Sequence, residues 1–174
     1  MEEFMKVVTT QKVARRGLRT AIAIAAMTLS AGAYAASTTG TASATVIVPM
    51  TISAGTALNF GTFAANSTGG TVVITTGGAR SATGSVALSS TTPGVAGSFN
   101  VTGNAASTFA ITGPGVFNVI SGVNTMSVSL SGLATTGTLS GGTATILVPG
   151  TLTVGANQAP GSYSGTYTMA VEYN

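Results

Sequence analysis

Beyond the first nineteen residues this chain carries two charged side chains, Arg80 and Glu172. The remaining cations, Lys6, Lys12, Arg15, Arg16 and Arg19, stand at the front with Glu2 and Glu3, so the formal net charge of +3 belongs to that stretch alone. Cysteine, histidine, tryptophan and aspartate are absent. From Ala36 onward the chain therefore offers one guanidinium, one carboxylate, many hydroxyls and the phenols of Tyr163, Tyr167 and Tyr173. General acid–base chemistry, a nucleophile with its base, and a paired-carboxylate glycosidase all need groups that this inventory lacks. A Cys/His metal site has no ligands, and a hard-cation site has too few carboxylates. A nucleic-acid surface needs a basic patch, which one arginine does not make. The sequence thus points away from an enzyme, a cofactor or a metal and towards a structural or binding role. Arg80 and Glu172 read either as unrelated solvated residues or as an ion pair, and an exposed pair contributes about 0–1 kcal/mol.

The basic front runs into the apolar residues 21–29 and then Ala33-Tyr34-Ala35. A basic segment, a short apolar run and small residues flanking a larger one form the pattern of a secretory signal peptide. Residues 1–35 are assigned to it, with cleavage after Ala35 and Ala36 as the neighbouring choice. Spanning a bilayer takes about 20 apolar residues, more than this run supplies. Glu2 and Glu3 are unusual there, and initiation at Met5 would remove both. Arg15-Arg16 loosely echoes a twin-arginine signal, and an amphipathic helix retained in the final protein is the other reading. The expected location is exported, with no membrane span and no nucleic-acid partner.

The elements that must carry the remaining residues read as strands. Thr, Ser, Gly and Val disfavour helix and suit strands and turns. Period-two alternation recurs over 44–52, 58–63, 71–76, 84–89, 97–102, 108–112, 125–131, 143–148, 151–154 and 162–173. Gly, Pro, Asn and Ser clusters separate these runs, among them Gly77-Gly78, Pro93-Gly94, Pro149-Gly150 and Pro160-Gly161. Short strands at such spacing predict an all-β, antiparallel β-sandwich in one domain. Its core would use small aliphatics with Phe60, Phe63, Phe99, Phe109 and Phe117.

Both ends of this domain alternate. Ala44, Val46, Val48, Met50 and Ile52 share one apolar face, and Pro49 lacks an N–H donor, which confines the segment to a sheet edge or a bend. Tyr163, Gly165, Tyr167, Met169, Val171 and Tyr173 share a face of the last strand, after Gly161.

With Tyr173 penultimate and Gly161 fourteenth from the end, the chain resembles pilin (fimbrial) subunits of the bacterial chaperone–usher pathway. Leu58-Asn59-Phe60-Gly61, Gly69-Gly70-Thr71-Val72-Val73-Ile74 and Arg80-Ser81-Ala82-Thr83-Gly84-Ser85-Val86 look like a Cys-free group of exported, pilin-like domains of unknown function. The resemblance implies an immunoglobulin-like sandwich that misses its last strand and is completed by a donor strand from a neighbour. Residues 36–52 would be the extension, with Ala44, Val46, Val48, Met50 and Ile52 as the donor face, although the later part of the run can equally serve as the first strand of its own subunit. Residues 53–174 would be the domain. Gly161, Tyr163, Tyr167, Met169, Val171 and Tyr173 would border the groove and be read by a periplasmic chaperone before an outer-membrane usher. The implied product is a cell-surface fibre of identical or related subunits. The other reading is a self-complemented sandwich, secreted or surface-bound, acting as an adhesin or ligand-binding module, with the face from Tyr163 to Tyr173 as an ordinary core strand.

Overall fold

Alternating Thr/Ser and Val/Ile segments do form strands in the computed structural model, which describes residues 35–174. The expected signal segment lies outside the described residues, apart from Ala35. The chain divides into two units, 1–44 and 45–174. The described part of the first is exposed and has no regular structure. Among the described residues no helix is long and apolar enough to cross a membrane.

The second unit is an all-β, antiparallel sandwich. Its strands are β1 (Thr51–Ala54), β2 (Phe63–Ala64), β3 (Gly70–Ile74), β4 (Arg80–Gly84), β5 (Ala87–Leu88), β6 (Gly97–Thr102) and β7 (Thr108–Thr112). They continue as β8 (Val116–Ser121), β9 (Asn124–Ser129), β10 (Thr136–Thr138), β11 (Thr143–Val148), β12 (Gly150–Val154) and β13 (Ala170–Tyr173). The largest sheet has the order β4-β3-β12-β9-β8. Two three-stranded sheets, β1-β6-β11 and β10-β7-β13, and the short β2-β5 pair complete the set. A single residue, Pro149, separates β11, paired to β6, from β12, paired to β3 and β9. Pro149-Gly150 is therefore a corner that carries the chain from one sheet into another, where the sequence suggested a turn.

One apolar core joins the sheets. Val72, Met126, Val128, Leu152 and Val154 come from the largest sheet, Val101, Ile146 and Val148 from the second, and Phe109 and Ile111 from the third. Phe109 is 1% exposed. Gly137 on the neighbouring β10 lies against the far end of its ring, where any Cβ would overlap it. Phe60, Phe63, Phe99 and Phe117, expected in the core, are only partly buried and pack on its margin.

Other expectations change as well. The strand expected over 84–89 is replaced by β4, β5 and a break between them, since β4 has no large apolar residue to mark it and forms by pairing with β3. β8 and β10 had no counterpart in the sequence reading. In β8 both faces carry aliphatics, with Val116 and Ile120 exposed opposite Phe117 and Val119, so no one-sided alternation appears. The run over 44–52 becomes a strand only from Thr51, after Pro49, and among the described residues β1 pairs with β6 alone. The run over 162–173 keeps one bridge, Ser164 to Ile120, before β13.

Candidate functional site

A cavity of about 990 Å³ opens on one side of the sandwich. Its floor is apolar: Phe117 and Val119 of β8, Met126 of β9 and Leu152 of β12. Residues 58–65 form one wall, and residues 158–165 with Tyr167 form the other.

The first wall contains little regular strand. Asn59 and Val95 exchange backbone hydrogen bonds of 2.9 and 2.7 Å, and β2 pairs with β5 over two residues. Between these ties the Gly61 N–H donates to the Asn59 side-chain oxygen at 2.8 Å, in a left-handed conformation (φ 70°) that favours glycine. The Thr62 N–H also donates to the Thr92 carbonyl at 3.2 Å and the Ser89 N–H to the Thr62 carbonyl at 2.9 Å, and Arg80 of β4 adds a side-chain anchor. Its guanidinium donates to the carbonyls of Phe60 (3.1 Å), Thr62 (3.4 Å), Thr92 (3.1 Å) and Ser89. Arg80 is thus not a freely solvated charge, and among the described residues its partners are these carbonyls rather than Glu172. Glu172 is exposed on β13.

The second wall is held against β8. Ile120 and Ser164 exchange backbone hydrogen bonds of 2.8 and 3.1 Å. Gly165 lies so close to Asn118 that an added Cβ would overlap its carbonyl oxygen, and a Cβ on Gly161 would press on the Ser121 hydroxyl. The Tyr163 hydroxyl donates to the Ala159 carbonyl at 2.7 Å and accepts from the Gln158 side-chain amide at 2.8 Å, which closes the bend at Pro160-Gly161. Tyr167 stacks on Phe117 with centroids 4.8 Å apart and meets Phe99 edge-on at 5.9 Å. Burial pushes its phenol above the usual value of 10.0 by disfavouring the phenolate.

Of the residues expected to border a groove, Gly161, Tyr163 and Tyr167 line the cavity. Met169 is buried, while Val171 and Tyr173 are half-buried against the core. β13 pairs with β7 and, among the described residues, with no other strand. Phe60, Phe63, Phe117, Val119 and Gln158 belong to the cavity as well. By sequence pattern these phenylalanines belong to the core; for Phe60 and Phe63 the one distinguishing signal is Gly61 between them, and Phe117 on β8 carries none.

The expected donor face divides. Ala44 is exposed in the first unit, Val46 is 96% and Val48 57% exposed. Met50 packs on the domain's own core and Ile52 sits in β1 opposite Val101. The Val48 carbonyl accepts from the Tyr173 hydroxyl at 2.8 Å.

The chain thus holds a cavity with an apolar floor between two walls, and exposed apolar residues at Val46, Ile47 and Val48. No curated protein and no solved structure matches the chain. Residues 50–173 match a domain of unknown function (DUF4402), and the chain belongs to that family.

Proposed function

We propose that this protein is an exported structural subunit of a pilus- or fimbria-like fibre on the cell surface, polymerising by donor-strand exchange. The observation that carries the reading is the pairing, in one chain, of a cavity floored by Phe117, Val119, Met126 and Leu152 with an exposed apolar segment at Val46–Val48. The donor is the part of the extension before Val48, because Met50 and Ile52 already serve their own domain. Its cavity-facing residues are then small: Ala42, Ala44 and Val46 against a site rich in aromatic rings. Full burial of a valine side chain contributes about 1.5–3 kcal/mol. Alanines contribute less, so backbone hydrogen bonds of about 0.5–1.5 kcal/mol each supply a large share of the stabilisation. By the resemblance to pilins, a periplasmic chaperone occupies the groove first and an outer-membrane usher templates the exchange. The absence of catalytic groups in the sequence leaves no enzymatic activity in this account.

The test is an unboiled SDS gel with electron microscopy, comparing the chain with a version lacking residues 38–47. Ladders and fibres that disappear with the deletion support the proposal, and identical monomers in both count against it. A second reading, a self-complemented adhesin or ligand-binding module, is favoured by one contact. Tyr173 holds Val48 beside the chain's own last strand. In that case residues 45–48 stay with their own domain, and the full chain runs as a monomer without ladders or fibres.

A further inference from the structure

Arg80 stands apart from the cavity lining, yet it makes four hydrogen bonds to the structure around the first wall. Two of its acceptors, Phe60 and Thr62, are in the wall, and two, Ser89 and Thr92, are in the segment behind it. The space for its side chain is built in. A Cβ on Gly61 would overlap the guanidinium, and one on Gly94 would press on the Arg80 stem. Converging carbonyl dipoles repel one another unless a donor lies between them. A planar guanidinium with five N–H groups can serve several acceptors at once, whereas a lysine ammonium is a single compact charge.

We propose that Arg80 is the positioning residue of the groove: its guanidinium sets the wall of residues 58–65 at the spacing that admits a partner strand. This inference rests on the strand-accepting reading of the cavity. It goes further by naming a residue outside the cavity that controls its shape.

The experiment compares the purified full chain with Arg80→Lys and Arg80→Ala. Hydrogen exchange is read at the Asn59, Thr62 and Ser89 amides, with Val128 and Leu152 as sheet references. Binding of a labelled synthetic peptide of residues 36–47 is read by fluorescence anisotropy. In Arg80→Ala the wall amides exchange about tenfold faster or more, by local opening, while the sheet amides keep their protection. Peptide affinity falls by a similar factor of about ten. Methylguanidinium added to Arg80→Ala restores both readouts, and Arg80→Lys restores them only in part. Wall amides that keep wild-type protection in Arg80→Lys and Arg80→Ala overturn the proposal, as does unchanged peptide affinity in a protein whose wall has loosened. If Arg80→Ala does not fold, Arg80→Lys decides: full wild-type behaviour in both readouts contradicts the need for a guanidinium. A wild-type chain that ignores the peptide refutes the strand-accepting reading instead, and the exchange data then test the hold of Arg80 on the wall separately.

Discussion

The hydroxyl of Tyr173 donates to the carbonyl of Val48 at 2.8 Å, joining the penultimate residue to one 125 positions earlier. The same oxygen accepts from the Asn104 N–H at 2.6 Å. One phenol thereby connects the entry to β1, the turn after β6 and the last strand. It also ties Val48, just before β1, to the end of the last strand.

Replacing that phenol tests the tie. Tyr173→Phe keeps the ring against the core and removes both hydrogen bonds, at a cost of about 0.5–1.5 kcal/mol for each bond. A urea titration should show the loss, and limited proteolysis should cut faster within residues 45–50. An unchanged cleavage pattern would mean that the hydroxyl does not hold the segment.

Gly165→Ala addresses the second wall. The added Cβ would collide with the Asn118 carbonyl, which belongs to a paired strand and cannot yield as a flexible side chain could. Residues 162–166 should lift from β8, seen as faster exchange at the Ile120 and Ser164 amides. Protection equal to wild type would show that the approach is looser than the geometry implies.

Tyr167 links the cavity to pH. Burial favours the neutral phenol, so the folded value lies above the ordinary 10.0. The unfolded chain loses this proton first as pH rises. The group's contribution to stability is therefore fully present below about pH 10 and is lost as pH climbs through the folded value. The difference in phenolate absorbance between wild type and Tyr167→Phe should have a midpoint above 10.0, and the variant should lose less stability in alkali. A midpoint at or below the ordinary value would place the ring in water.

Phe109→Ala removes the largest fully buried side chain among the described residues. The cavity and lost transfer energy should cost about 3–5 kcal/mol in denaturant unfolding, a large share of a typical 5–15 kcal/mol domain stability. A loss below about 1 kcal/mol would contradict its central place.

Much of this architecture is written in local pattern. β6, β7 and β11 occupy the runs that alternation marks, because each has one face on the core and one in water. β8 escapes that signal because Val116 and Ile120 put aliphatics on its outer face too. β4 escapes it because Ser81, Ala82 and Thr83 have no apolar face, and its place is set by β3. At the site, the terminal tyrosines and Gly161 are visible in sequence as an alternating end. The role of Arg80 is not, since its acceptors are backbone carbonyls, which carry no residue-type signature. The division of the N-terminal run at Val48 is equally hidden, because Val46, Val48, Met50 and Ile52 look alike until Tyr173 and β6 select among them.

Entry of one copy's extension into the groove of another is directly measurable, because the chain has no cysteine. Single-cysteine chains carrying Ala42→Cys, Ala44→Cys or Val46→Cys are mixed with chains carrying Phe63→Cys or Val119→Cys and oxidised. Donor-strand exchange should give disulfide-linked pairs containing one chain of each kind, at donor positions that alternate along the extension. Mixtures that stay monomeric, together with double-cysteine chains that close within themselves, would contradict it.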